Sequence, residues 1–241
     1  MRLSLPPLFR PRRIWLPTVW GAFVLLTGAL LVGVVAVRGL GSFLSPTATV
    51  PGAEVLVIEG WVGETALEVG LARLHAGGYR HVVTSGGPIS HWPGRWANYA
   101  ARAGDYLAAR GLPPKMTLHV LPAPATAQDR TYASAVWARD GLEAAGIPVT
   151  AIDVLSSGAH ARRTRKLYQL AFGSDVQVGI IAVAEPGPDG LYLPWWQTSE
   201  GVKQTLVEFV GYVWTQCCFW PPPRGSHEER WAVPRQTAPA D

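Results

Sequence analysis

The segment Ala151–Lys166, AIDVLSSGAHARRTRK, begins as an apolar strand pattern (Ala151–Leu155), passes through small residues, and enters a helix whose first turn is crowded with cations. His160, Arg162, Arg163 and Arg165 stand where unpaired backbone N–H groups and the macrodipole already make a helix end positive. Each such charge works against the dipole by roughly 0.3–1 kcal/mol. A negative group at the strand-to-helix turn offsets that cost, and helix N-termini are ready anion sites. The turn therefore reads as a phosphate- or carboxylate-binding loop.

Working outward, the same alternation recurs along the chain. Glu54–Gly60 (EVLVIEG) is a short apolar run rich in β-branched residues, and Glu64–Ala76 follows with Leu67, Leu71 and Leu74 at helical spacing. His81–Ser85 is a second strand, stopped by Gly86-Gly87-Pro88; Trp96–Arg110 is a helix closed by Gly111. Thr117–Leu121 is a third strand and Asp129–Ala145 its helix. Ala161–Phe172 continues the opening segment, and Val176–Val183 is a fifth strand. Near-continuous apolar strands separated by helices imply βαβ units and a mostly parallel sheet covered on both faces. The expected fold is α/β, a Rossmann-like three-layer α/β/α domain.

The 241-residue chain has room for one such domain plus extras, and 48% of its residues are hydrophobic. Part of the excess lies between Ile14 and Val37, where no charged residue occurs. A run of ~24 residues can span a hydrocarbon core that needs about 20, and is too long for the apolar region of a cleavable signal peptide. Arg2, Arg10, Arg12 and Arg13 precede it and only Arg38 follows. The positive-inside rule puts the N-terminus in the cytoplasm and the domain outside. The expected organisation is a basic cytoplasmic flank (1–13), a transmembrane helix (14–37), a Gly/Ser/Pro-rich linker (38–52), the α/β domain (53–220) and a disordered tail (221–241).

The formal net charge is +4, but four of the arginines belong to the membrane flank. An exterior domain seldom meets nucleic acid, so phosphorylated or anionic envelope components are the expected partners. Cys217 and Cys218 are adjacent, and neighbours rarely meet the geometry of a disulfide. Neither a CxxC nor a Cys/His cluster occurs, and His75, His81, His91 and His119 lack metal-ligand spacing; no metal is expected and no cofactor is indicated. The last helix, about Ser199–Trp220, is apolar on several sides. It is expected to be buried against the domain or to lie where the domain meets the bilayer.

Open α/β sheets bind ligands beyond the carboxyl ends of their strands. Those ends carry Glu59-Gly60-Trp61, Thr84-Ser85-Gly86-Gly87, Pro122–Gln128 and Ser156–His160. Glycines let backbone amides approach a ligand closely, and Arg130, Thr131 and Ser134 at the next helix start can hydrogen-bond anionic oxygens. Gly60, Trp61, Ser85, Gly86, Gly87, Arg130, Thr131, Ser134 and Arg163 are the candidate ligand-binding residues. His160 is the candidate acid or base, with Arg130 and Arg163 stabilising charge. Ser85 lacks the G-x-S-x-G elbow of a nucleophile and reads as a turn residue or anion contact. Trp61 and Trp92 follow strand ends and are placed to stack on a sugar or lipid headgroup. Glu59 and Glu185 would pair as acid and base only if their strands are neighbours; the ordinary role is a strand-end carboxylate bonded to a loop amide.

The order strand–glycine turn, strand–Ser-Gly-Gly, helix start with Arg130-Thr131, and strand–His-x-x-Arg (His160, Arg163) resembles the bacterial YdcF-like domain, from about Glu54 to Trp214. Its membrane-anchored members include the SanA and ElyC envelope proteins. The family pattern Thr-x-Glu-Asn is matched here at Thr131, with Ala133 and Ser134 in place of Glu and Asn. The resemblance implies a Rossmann-like fold, residence in the bacterial inner membrane with the domain on the periplasmic side, and a role in peptidoglycan or lipid-carrier metabolism. Two other readings stand beside it: a non-catalytic interaction module held at the membrane, and a nucleotide or S-adenosylmethionine-type binder. The residues leave both catalysis and binding alone open.

Overall fold

The computed structural model describes residues 15–89, 95–126, 128–187 and 189–231. The basic flank 1–13, His91, Trp92 and the last ten residues of the expected tail lie outside them. The chain divides into two compact units, with the boundary after Gly39.

Helix α1 (Val19–Leu44) runs through 26 residues and is long and apolar enough to cross a membrane. It extends past Val37, where the expected linker began. Gly39 and Gly41 weaken a helix by about 1 kcal/mol each, but the first residue that forbids one is Pro46. Leu44, in the second unit, is fully buried.

The second unit is a five-stranded, all-parallel sheet in the order β3-β2-β1-β4-β5. The strands are β1 (Val55–Glu59), β2 (His81–Gly86), β3 (Thr117–Pro122), β4 (Ala151–Ser157) and β5 (Gln177–Val183). The helices between them are α2 (Glu64–Ala76), α3 (Tyr99–Arg110), α4 (Arg130–Ala144) and α5 (Ala161–Phe172). Successive strand residues feed two cores. Val55, Val57, Ile152 and Val154 pack with α4 and α5 through Tyr132, Val136, Leu167 and Tyr168. Leu56, Ile58 and Leu155 pack with α2 and α3 through Leu67, Leu71 and Leu107. This is the Rossmann-like α/β/α arrangement expected, and the winding reverses between β1 and β4.

The rest of the expected linker is ordered structure. Ala48 bridges Ile180 on the free edge of β5, accepting at 2.9 Å and donating at 2.8 Å, and Val50 donates to the buried Asp153 carboxylate at 2.9 Å. An otherwise open strand edge is thereby covered. The described part of the expected tail is ordered as well. Residues 221–231 are placed and end in helix α7 (His227–Trp231), because Glu229 enters a buried pocket and accepts from Arg139 Nη1 at 2.9 Å and Nη2 at 3.1 Å. Helix α6 (Ser199–Cys217) closes the unit. Cys217 and Cys218 are joined as a disulfide, against expectation: Cys218 is the first residue past the helix, and its φ of −134° swings it out of the helical spiral.

Candidate functional site

A cavity of about 740 Å3 opens at the carboxyl edge of the sheet, over the reversal between β1 and β4. Trp61, Ser85, Gly86, Gly87, Arg130, Thr131, Ser134, His160 and Arg163 all line it, so four separate strand ends converge as expected. Gly60 does not line it. Its amide donates to the Ser85 carbonyl at 2.6 Å, and a Cβ there would collide with the Tyr99 carbonyl and come within 2.9 Å of Ser85 O. Gly60 is a glycine so that α3 can approach the sheet, not so that a ligand can.

The crowded cations at the start of α5 are each answered within the protein. Arg162 donates to the Phe43 carbonyl and lies 4.0 Å over the Phe43 ring. Arg165 donates to Val178 O at 2.9 Å, and with Lys166 lines a separate hollow of about 500 Å3 at the start of β5. Arg163 donates to Glu208 of α6 through Nε (2.8 Å) and Nη2 (3.0 Å). His160 Nδ1 lies 3.0 Å from the same carboxylate. The negative group demanded by the strand-to-helix turn is thus Glu208, a side chain of the protein itself, which occupies Nε and Nη2 of Arg163 at the cavity wall. Gly211 makes this possible, since a Cβ there would stand 3.1 Å from Arg163 Nε.

Burial alone would push the Glu208 carboxyl up; hydrogen bonds and charge from His160 and Arg163 outweigh that and hold it at about 2. His160 Nδ1 is also 3.1 Å from Arg163 Nη2. We assign the Nδ1 proton to the bond with Glu208, the stronger acceptor, while Arg163 directs its own N–H groups to the carboxylate. Nε2 lies 3.4 Å from the Thr131 hydroxyl. The Trp61 ring packs edge-on to His160 at 5.0 Å and fixes its plane. Glu59, buried at the end of β1 and lining the cavity, accepts from Thr164 Oγ1 at 3.1 Å and lies 3.8 Å from Nε2. Carboxylate, imidazole and hydroxyl thus stand in line, an arrangement that can move a proton at Nε2.

The first turn of α4 forms the opposite wall. Asp129 precedes it with φ +53° and its side chain does not cap the helix, so the first amides of α4 lack a side-chain acceptor. Burial raises the Asp129 carboxyl, with Arg163 opposing. Arg130 is exposed, and among the described residues it has no ion-pair partner. Ser85 is committed elsewhere: its hydroxyl is 3.0 Å from the Tyr168 hydroxyl, whose ionisation burial and nearby Glu59 disfavour. Glu185 is two strands removed from Glu59 in order and accepts from the Gly63 amide at 2.9 Å, so no acid/base pair forms. Among the described residues no cluster of His, Cys, Asp or Glu is disposed to hold a metal ion.

Sequence reasoning missed Glu208 and Gln204, which α6 brings to the cavity from a distant part of the chain. The available signal was one acid between Val207 and Phe209, where an apolar helix has no local reason for a charge. Comparison of the chain with protein-family models, curated proteins and solved structures returns no match.

Proposed function

We propose that this is a membrane-anchored protein of the YdcF-like kind, whose α/β domain on the outer side of a bacterial inner membrane binds a phosphorylated or anionic envelope ligand in the carboxyl-edge cavity. One observation carries the reading. Arg130 and the uncapped first turn of α4 face the cavity, and among the described residues Arg130 has no ion-pair partner, whereas Arg163 is already matched by Glu208. Gly86 and Gly87 on the facing wall permit close backbone approach. The His160 ring, held by Glu208, is the group that would take or give a proton at the bound ligand.

The test uses the full chain in detergent with a short-chain prenyl phosphate, and the matching prenyl alcohol as control. The phosphate form is expected to bind and the alcohol not. Arg130→Ala should weaken binding at least about tenfold, consistent with 1.5–3 kcal/mol for a charge-assisted hydrogen bond, with the melting temperature unchanged. Equal binding of phosphate and alcohol, or indifference to Arg130→Ala, would remove the reading.

A further inference from the structure

Helix α6 is built inside out. Thr205 and Thr215 are buried and Glu208 points into the cavity wall, whereas Leu206, Val207, Val210, Val213 and Trp214 face outward. Val207 and Val210 are 65% and 66% exposed. A helix on the surface of a water-soluble domain places these residue classes the other way round. An outward apolar stripe at i, i+1, i+4, i+7 and i+8 needs an apolar neighbour.

We propose that α6 lies in the plane of the membrane interface, with this outward stripe set into the boundary between headgroups and acyl chains. Three observations select lipid over a protein partner. The same chain carries α1, long and apolar enough to cross a membrane. The last turn of α1, within the second unit, packs beside α6: the Phe43 ring meets Tyr212 at 5.7 Å, and Arg162 stacks on Phe43. The first residues of the second unit therefore lie next to this stripe. The stripe also ends in aromatic rings suited to the headgroup level, Trp214 and the exposed Trp220, while the Lys203–Glu200 pair stands near its other end. Glu208 on the opposite face keeps α6 from sinking further, because its carboxylate is held by Arg163 and His160. The cavity then lies one helix diameter, about 10 Å, from the lipid surface.

The test uses the full chain reconstituted in phosphatidylcholine–phosphatidylglycerol vesicles, with Cys217→Ser and Cys218→Ser and one nitroxide label at Val210→Cys. The comparison site is Ala72→Cys on the exposed side of α2. Collisions with oxygen, which concentrates in lipid, and with a water-soluble nickel chelate report the surroundings of the label. The expected result is an oxygen-to-nickel ratio severalfold higher at position 210 than at position 72. Should the Val210 variant fail to fold, Val207→Cys reads the same face. Nickel access at α6 equal to that at position 72 would overturn the proposal. Shielding from both reagents would overturn it too, marking a protein contact; spin–spin broadening that grows with protein-to-lipid ratio would identify a second copy.

Discussion

Arg163 and Glu208 meet side-on, Nε to Oε2 at 2.8 Å and Nη2 to Oε1 at 3.0 Å, and so tie α6 to the first turn of α5. His160 shares the same carboxylate. One acid therefore positions both the guanidinium and the imidazole at the start of α5.

Removing both partners should cost less than the sum of removing each alone. Glu208→Ala leaves the half-buried Arg163 and the buried His160 without their acceptor, and about 1–3 kcal/mol of stability is expected to be lost. Chemical denaturation of Glu208→Ala, Arg163→Ala and the double variant checks this. The double variant should lose less than the sum of the two singles.

The same pair makes the fold acid-sensitive in a definite window. Glu208 is held at about 2, below its ordinary value of 4.5, so the folded state binds its proton less readily than the unfolded chain. The stabilisation is fully present above pH 4.5 and is lost as pH falls through 4.5 toward 2. Melting temperature measured across this range should fall more steeply for the native chain than for Glu208→Gln. Parallel curves would contradict the assignment.

Arg139 and Glu229 form a second, deeper pair, with side chains only 4% and 2% exposed. Burial pushes Glu229 up, and hydrogen bonds from Arg139 and the Gly225 amide more than reverse it. Glu229→Ala strands a buried guanidinium with Asp140 as its remaining acid, and should cost about 3 kcal/mol. Joint replacement, Arg139→Met with Glu229→Leu, should recover most of that loss in the same denaturation assay.

Gly60→Ala tests whether this position serves packing. The new Cβ meets backbone atoms of Tyr99 and Ser85, which cannot rotate away. A loss of about 1–3 kcal/mol is expected, with the amide exchange of α3 accelerated.

What the sequence announced was mainly local. The bounds of α2 and α5 coincide with those expected from periodicity and glycine stops, and strand ends moved by one or two residues. Convergence of the loops followed from the parallel winding, which places every strand-to-helix turn on one edge. The role of Glu208 did not follow, because it depends on where a helix outside that winding packs. Gly60 showed the same limit in reverse: a glycine at a strand end looks alike whether a ligand or a neighbouring helix approaches it. Residues 40–52 and 221–231 are ordered where Pro, Gly and charge suggest otherwise, because buried side chains such as Leu44 and Glu229 fasten them.

The docking of residues 40–52 sets where the chain can be cut. A shortened form starting at residue 53 would discard Leu44 from the interior, strip the strap from β5 and leave Asp153 without the Val50 amide. Such a form should expose a sticky strand edge and precipitate. One beginning at Leu40 keeps all three fastenings, so release of the domain by proteolysis would yield a lasting product only when the scissile bond lies within α1.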